Sequence, residues 1–102
     1  MKVLSYNIYG VKNTTSPIPK WEIRQENVKR ILNNLLKDIA IKVCCFQEVN
    51  ENNIELLHEI LNHNNFKMLK KFPMKTESYN QYNIVAIRNE DSINVNFVHC
   101  LP

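Results

Sequence analysis

The feature that most constrains this chain is a single helical stripe set between two short apolar runs. Val28, Ile31, Leu32, Leu35, Leu36 and Ile39 recur at three- and four-residue steps, which puts them on one side of a helix from about Trp21 to Asp38. Ahead of it, Lys2 to Ile8 alternates, with Val3, Ser5 and Asn7 toward one side and Leu4, Tyr6 and Ile8 toward the other. Behind it, Lys42-Val43-Cys44-Cys45-Phe46-Gln47-Glu48-Val49 is an apolar run without Pro or Gly, the pattern of a buried strand. Strand, helix and strand form a βαβ unit, whose crossover is right-handed as a rule, so the expected class is α/β. Gly10 permits a sharp exit from the first strand, and residues 11–20, with two prolines and several turn formers, read as a loop.

A Gln-Glu pair closing an apolar strand is not core material. In open α/β sheets the C-terminal strand ends are where ligands bind. If the two strands run parallel, Asn7 and Glu48 both lie at such ends and reach one site. A carboxylate held there suits a hard divalent cation such as Mg²⁺, which takes oxygen ligands and keeps several waters.

Further along, Ile54, Leu57, Ile60 and Leu61 form the apolar stripe of a second helix over about Asn52 to Asn62, opened by Asn50 or Glu51. Phe66 to Phe72 reads as a strand ending in a turn at Pro73, and Lys75 to Gln81 as a loop. Asn83-Ile-Val-Ala-Ile-Arg88 is a further buried strand. After a turn at 89–92, the run Ile93 to Phe97 alternates as a one-sided strand.

At 102 residues the chain is at most one small domain with a modest core. No apolar run approaches the ~20 residues of a membrane helix. Lys2 is followed by neither an apolar stretch nor a small-residue cleavage site, so no secretory signal is read. Three cysteines, two of them adjacent (Cys44 and Cys45), do not make a disulfide framework; they fit reduced thiols and an intracellular setting, cytoplasm or nucleus. A net charge of +3 permits a polyanionic substrate without requiring one.

Taken together, Val3-Leu-Ser-Tyr-Asn7-Ile-Tyr-Gly10, a helix, Cys45-Phe-Gln-Glu48-Val49 and Ile84-Val-Ala-Ile87 resemble the N-terminal half of the endonuclease/exonuclease/phosphatase (deoxyribonuclease I-like) superfamily. Trp21-Glu22-Ile23-Arg24 is similar to the W-x-x-R that several members carry ahead of this helix. The resemblance implies a partial two-sheet α/β sandwich, with about one sheet and two helices present, so residues 1–102 would be one incomplete domain lacking the catalytic C-terminal half. It implies Mg²⁺, with Mn²⁺ as a substitute, held by Glu48 and Asn7. Asn7 would also hydrogen-bond the scissile phosphate or a water on the metal. The reaction implied is hydrolysis of a phosphodiester or phosphomonoester, with nucleic acid the foremost substrate and the metal stabilising charge on the phosphoryl oxygens.

The sequence departs from that family in ways that matter. It holds neither the later Asp-x-Asn that orients the nucleophile nor the final Asp-His pair, and Asn83 stands where many relatives carry glycine. An uncovered sheet face is rare on a soluble monomer, so the chain alone is expected to be unstable, to aggregate or to dock on a second polypeptide completing the fold. The competing reading is a non-catalytic remnant or protein-binding module that keeps the half-fold. Gln-Glu-Val rather than Gln-Glu-Thr leans toward the deadenylase, tyrosyl-phosphodiesterase and sphingomyelinase branches.

Other chemistry-bearing residues have structural readings. His58 and His63 are five apart, not the four that stacks two zinc ligands on one helix face, and His99 ends the one-sided strand. Lys67, Lys70, Lys71 and Lys75 could touch phosphates but also suit a strand edge guarded against pairing. Trp21 reads as a helix anchor. Tyr79 and Tyr82 sit in or beside a polar segment from which substrate is reachable.

Overall fold

The computed structural model describes residues 2–8, 21–75 and 80–90. The elements run β1 (Lys2–Asn7), α1 (Trp21–Leu35), β2 (Ile41–Val49), α2 (Ile54–His63), β3 (Phe66–Lys75) and β4 (Asn80–Arg88). The strands form one mixed four-stranded sheet in the order β1-β2-β4-β3. β1 pairs parallel with β2, while β4 is antiparallel to both β2 and β3. The α/β class and the parallel pairing of the first two strands are therefore as expected. The loop at 11–20 and the strand at 93–97 lie outside the described residues, as does His99.

The core follows from alternation. Ile8, Cys44, Phe46, Ile84, Ala86 and Phe66 are buried on the side where Val28 and Leu32 of α1 and Leu57, Ile60 and Leu61 of α2 pack. Val3, Ser5 and Asn7 occupy the alternate positions of β1 and are exposed.

The stripe of the first helix is narrower than its periodicity suggests. Val28, Leu32 and Leu36 are buried, but Ile31 and Leu35 are partly exposed and Ile39 is 74% exposed. The helix also stops at Leu35 rather than Asp38. Beyond it, Asp38 Oδ1 accepts from the Ala40 N–H at 3.0 Å and Asp38 O from the Ile41 N–H at 3.0 Å, a turn that leads directly into β2. The carbonyls of the segment that follows the helix are satisfied from β4. Arg88 Nη2 donates to Leu36 O at 3.1 Å and to Asp38 O at 3.0 Å, and its Nε donates to Ile41 O at 2.9 Å. The guanidinium lies 4.4 Å from the Phe66 ring centroid.

Three expectations in the second half need correction. Pro73 does not end a strand: β3 continues through it to Lys75, opposite Asn80. Since β3 is an edge strand, a residue without an N–H is tolerated there. The segment Lys75 to Gln81 accordingly belongs partly to a hairpin, because Lys75, Asn80 and Gln81 are all paired. The second helix starts at Ile54 with Asn53 at the N-cap, not at Asn52 after an opening Asn50 or Glu51; Asn50 belongs to the turn before it. Its carbonyl accepts from the Ile54 N–H at 3.0 Å and its Oδ1 from the Asn52 N–H at 2.9 Å.

Candidate metal-binding rim

Parallel pairing of β1 and β2 puts their C-terminal ends on one rim, with Asn7 directly opposite Gln47. The Ile8 N–H donates to Gln47 O at 3.0 Å, so the register persists to Ile8. Gln47 Nε2 donates to Ser5 Oγ at 3.1 Å and to Cys45 O at 3.3 Å, tying the two strands together beside the rim. Arg24 fixes the same end from the helix layer: its Nη1 donates to Ile8 O at 3.0 Å, and it lies 5.4 Å from the Trp21 ring centroid. Trp21 packs half-buried against the core, the anchoring role read from sequence.

Glu48 follows Gln47, in a conformation that sequence reasoning did not foresee. Its φ is 57°, in the left-handed region that a residue with a bulky side chain enters only at a cost of ~1–2 kcal/mol. The cause is visible in the pairing. Phe46 faces Ile84 and Val49 faces Tyr82, so Gln47 and Glu48 together oppose the single residue Asn83. This is a β-bulge, a device that re-aims a side chain and recurs beside functional sites. Glu48 is half-buried, and its Oε2 is fully buried with no hydrogen-bond partner among the described residues. A carboxylate oxygen taken from water without a partner is costly, which makes it a fit for a cation.

The two residues expected to form the site are thus brought to one rim: Asn7 pairs with the residue next to Glu48 in the chain. Among the described residues no group of three or more His, Cys, Asp or Glu converges. A cation at Glu48 would draw its other ligands from the Asn7 carboxamide, water or substrate. That donor set, all oxygen with one carboxylate, matches Mg²⁺ or Mn²⁺ and not a thiolate- or imidazole-seeking metal.

Gln47, which the sequence marks only as the partner of Glu48 in a non-core pair, and Asn83, opposite the bulge, also belong to this rim. Their signal was present: each is an amide at the end of an otherwise apolar run. Cys44 is not a nucleophile here, since burial pushes its thiol up to about 12. The lysines of β3 behave as edge residues: Lys67, Lys70 and Lys71 are exposed, Lys71 lies 4.3 Å from the Tyr82 ring centroid, and Lys70 lies 5.0 Å from that of Phe72. His58 and His63 are exposed on α2, and Tyr79 lies outside the described residues. No helix among the described residues is long and apolar enough to cross a membrane. Comparison with family models, with curated proteins and with solved structures finds no match for the chain.

Proposed function

We propose that this chain carries the cation-holding rim of a Mg²⁺-dependent phosphoester hydrolase of the endonuclease/exonuclease/phosphatase type, acting on a phosphate ester with nucleic acid as the foremost substrate class. One observation carries the reading. The carboxylate of Glu48 is set by a left-handed bulge at the parallel strand ends, with a buried oxygen that has no partner among the described residues, on the rim that also bears Asn7. Glu48 and Asn7 would hold the ion, which when bound supplies charge stabilisation at the phosphoryl oxygens. Glu48 contributes a negative charge fixed before substrate arrives, and such preorganisation is what electrostatic catalysis requires. Asn7 would contribute a carboxamide, whose oxygen suits such an ion and whose Nδ2–H is able to donate to a phosphoryl oxygen. Gln47 braces the two strands between them.

The acid–base groups of such a reaction are absent from these 102 residues, so the chain alone is expected to bind the ion and not to turn over. Titration with Mn²⁺, followed by electron paramagnetic resonance, tests the reading. Glu48→Gln should weaken binding at least tenfold and Asn7→Ala by less. Equal affinity for the wild-type chain and Glu48→Gln would sink the proposal. Mg²⁺-dependent cleavage of a model phosphodiester by the chain alone would instead overturn the claim that a further half is required.

A binding module is the second reading, and the sheet face away from the helices is what favours it. Val3 there is 58% exposed beside half-buried Val43 and Cys45, an apolar strip with room for a partner. Sedimentation showing a compact monomer that melts cooperatively would count against that reading.

A further inference from the structure

Among the described residues the sheet ends in two edge strands, β1 and β3, and the chain treats them differently. β3 carries exposed Lys67, Lys70 and Lys71 and an exposed Pro73, whose missing N–H interrupts any further ladder. β1 carries no such guards. Its one charged residue, Lys2, is paired within the chain to Asp38 at 2.8 Å. The backbone of β1 is also set for a further strand. The Lys2 N–H donates to Ala40 O at 2.8 Å and the Ile8 N–H to Gln47 O at 3.0 Å, so alternate residues from Lys2 to Ile8 face β2. The N–H and C=O of Val3 and Ser5 therefore point to the outer edge.

An apolar flank of α1 runs over the same edge. Lys29 Nζ donates to Glu59 Oε1 at 3.1 Å, and Asn64 Nδ2 to Asn33 Oδ1 at 2.7 Å, which marks the side of α1 that faces α2. Ile31 and Leu35, 38% and 39% exposed, lie on the other flank, in line with Arg24 at helical spacing. Arg24 Nη1 donates to Ile8 O at 3.0 Å, so this flank follows β1. Half-buried Leu4 and Tyr6 are on the helix side of that strand.

We propose that this edge is a two-fold interface, at which β1 of a second copy of this chain pairs antiparallel with β1 and the two sheets become one. A second copy fits because the edge is self-complementary. With the axis at Ser5, Lys2 falls beside Ile8 of the partner, so no two like charges are opposed. Arg24 ties α1 to Ile8, and Asp38 ties the turn after α1 to Lys2. Ile31 is seven residues from each of these anchors, and Ser5 is three from each of their partners, so the axis at Ser5 passes by Ile31. Ile31 and Leu35 then meet their counterparts across the seam, and their exposed apolar surface is covered. Addition of β1 to β3 would instead propagate into a fibre. The lysines and Pro73 of β3 oppose it, so assembly stops at two copies.

Sedimentation velocity of the full chain over a range of concentrations tests the proposal. A reversible monomer–dimer equilibrium without larger species is expected. Ile31→Lys and Ile31→Glu should each weaken the dimer on the order of 100-fold, since each sets two like charges together at the axis, and mixing the two variants should restore it. Amide hydrogen exchange reports on folding at the same time. The Tyr6 N–H, which faces β2, should stay protected in every variant, while the Ser5 N–H should lose protection together with the dimer. Val3→Lys, at a position 58% exposed, gives β1 the kind of guard that β3 has and should weaken the dimer roughly tenfold. It decides the matter if an Ile31 variant loses Tyr6 protection. A wild-type chain that stays monomeric overturns the proposal, even with Ser5 protected, because the edge is then covered from within its own chain. Larger polymers overturn it too, as does a dimer that folded variants leave intact or that mixing fails to restore.

Discussion

The two ends of the sheet solve the same structural problem with opposite degrees of satisfaction. At one end α1 leads into β2 and α2 leads into β3. There Arg88 donates to Leu36, Asp38 and Ile41 carbonyls and, at 3.4 Å, to Asn64 O. The left-handed residue at this end is Asn65, with φ 63°, a residue type that visits the region readily. Its carbonyl accepts from the Asn89 N–H at 2.8 Å. At the other end the left-handed residue is Glu48, a type poorly suited to it, and the two buried polar atoms without a partner among the described residues lie within a few residues. One end is optimised for stability. The other keeps strain and an unsatisfied charge, the pattern expected where structure is spent on function.

The largest expected effect tests the satisfied end. Replacing Arg88 by Leu leaves buried carbonyls without donors and removes the packing on Phe66, for a loss of roughly 3–5 kcal/mol in unfolding free energy. Arg88→Lys should recover only part, because an ammonium cannot span three carbonyls as a planar guanidinium does. Denaturant midpoints at fixed protein concentration measure both. A loss under about 1 kcal/mol for Arg88→Leu would break the contrast between the two ends.

The pair of left-handed residues sharpens it further. Asn65→Ala should destabilise by ~1–2 kcal/mol, since Cβ crowding is then uncompensated. Glu48→Gly should run the other way and gain on the order of 0.5–1 kcal/mol, as relief of the left-handed strain and of one buried carboxylate oxygen outweighs the added freedom of the unfolded chain. Thermal melts of the two variants decide the matter. A destabilised Glu48→Gly would mean that the bulge is held for packing, and the functional argument from strain would lose its footing.

How much of this was legible beforehand follows from the range of the forces involved. The βαβ order and the inward residues of β1, β2 and β4 come from local periodicity, which a sequence displays directly. The rim position of Asn7 and Glu48 came with it, given parallel pairing. Three things were not legible because they depend on long-range register or a distant side chain. The bulge at Glu48 arises from a mismatch with β4, some 35 residues later in the chain. The segment after α1 is tied to β4 by Arg88, which reads in sequence as an ordinary strand terminus. The edge position that lets Pro73 remain in β3 exists only once strand order is known.

The smallest expected effect concerns acid stability, and it again separates the ends. The Lys2 ammonium, hydrogen-bonded to Asp38 Oδ2 at 2.8 Å, and the Ala40 N–H hold the Asp38 carboxyl below its ordinary value of 3.8. A carboxyl lowered in the folded state contributes stability that is present above the unfolded value and lost as pH falls through the folded one. The side chains are largely exposed, so solvent and salt screen the pair and its contribution is small. Asp38→Asn should therefore flatten the fall in melting temperature below about pH 4 and leave the neutral-pH melting temperature nearly unchanged. A large loss at pH 7 would show instead that the Asp38 turn supports Arg88, which would make the satisfied end one cooperative unit rather than a clamp with a separate surface pair.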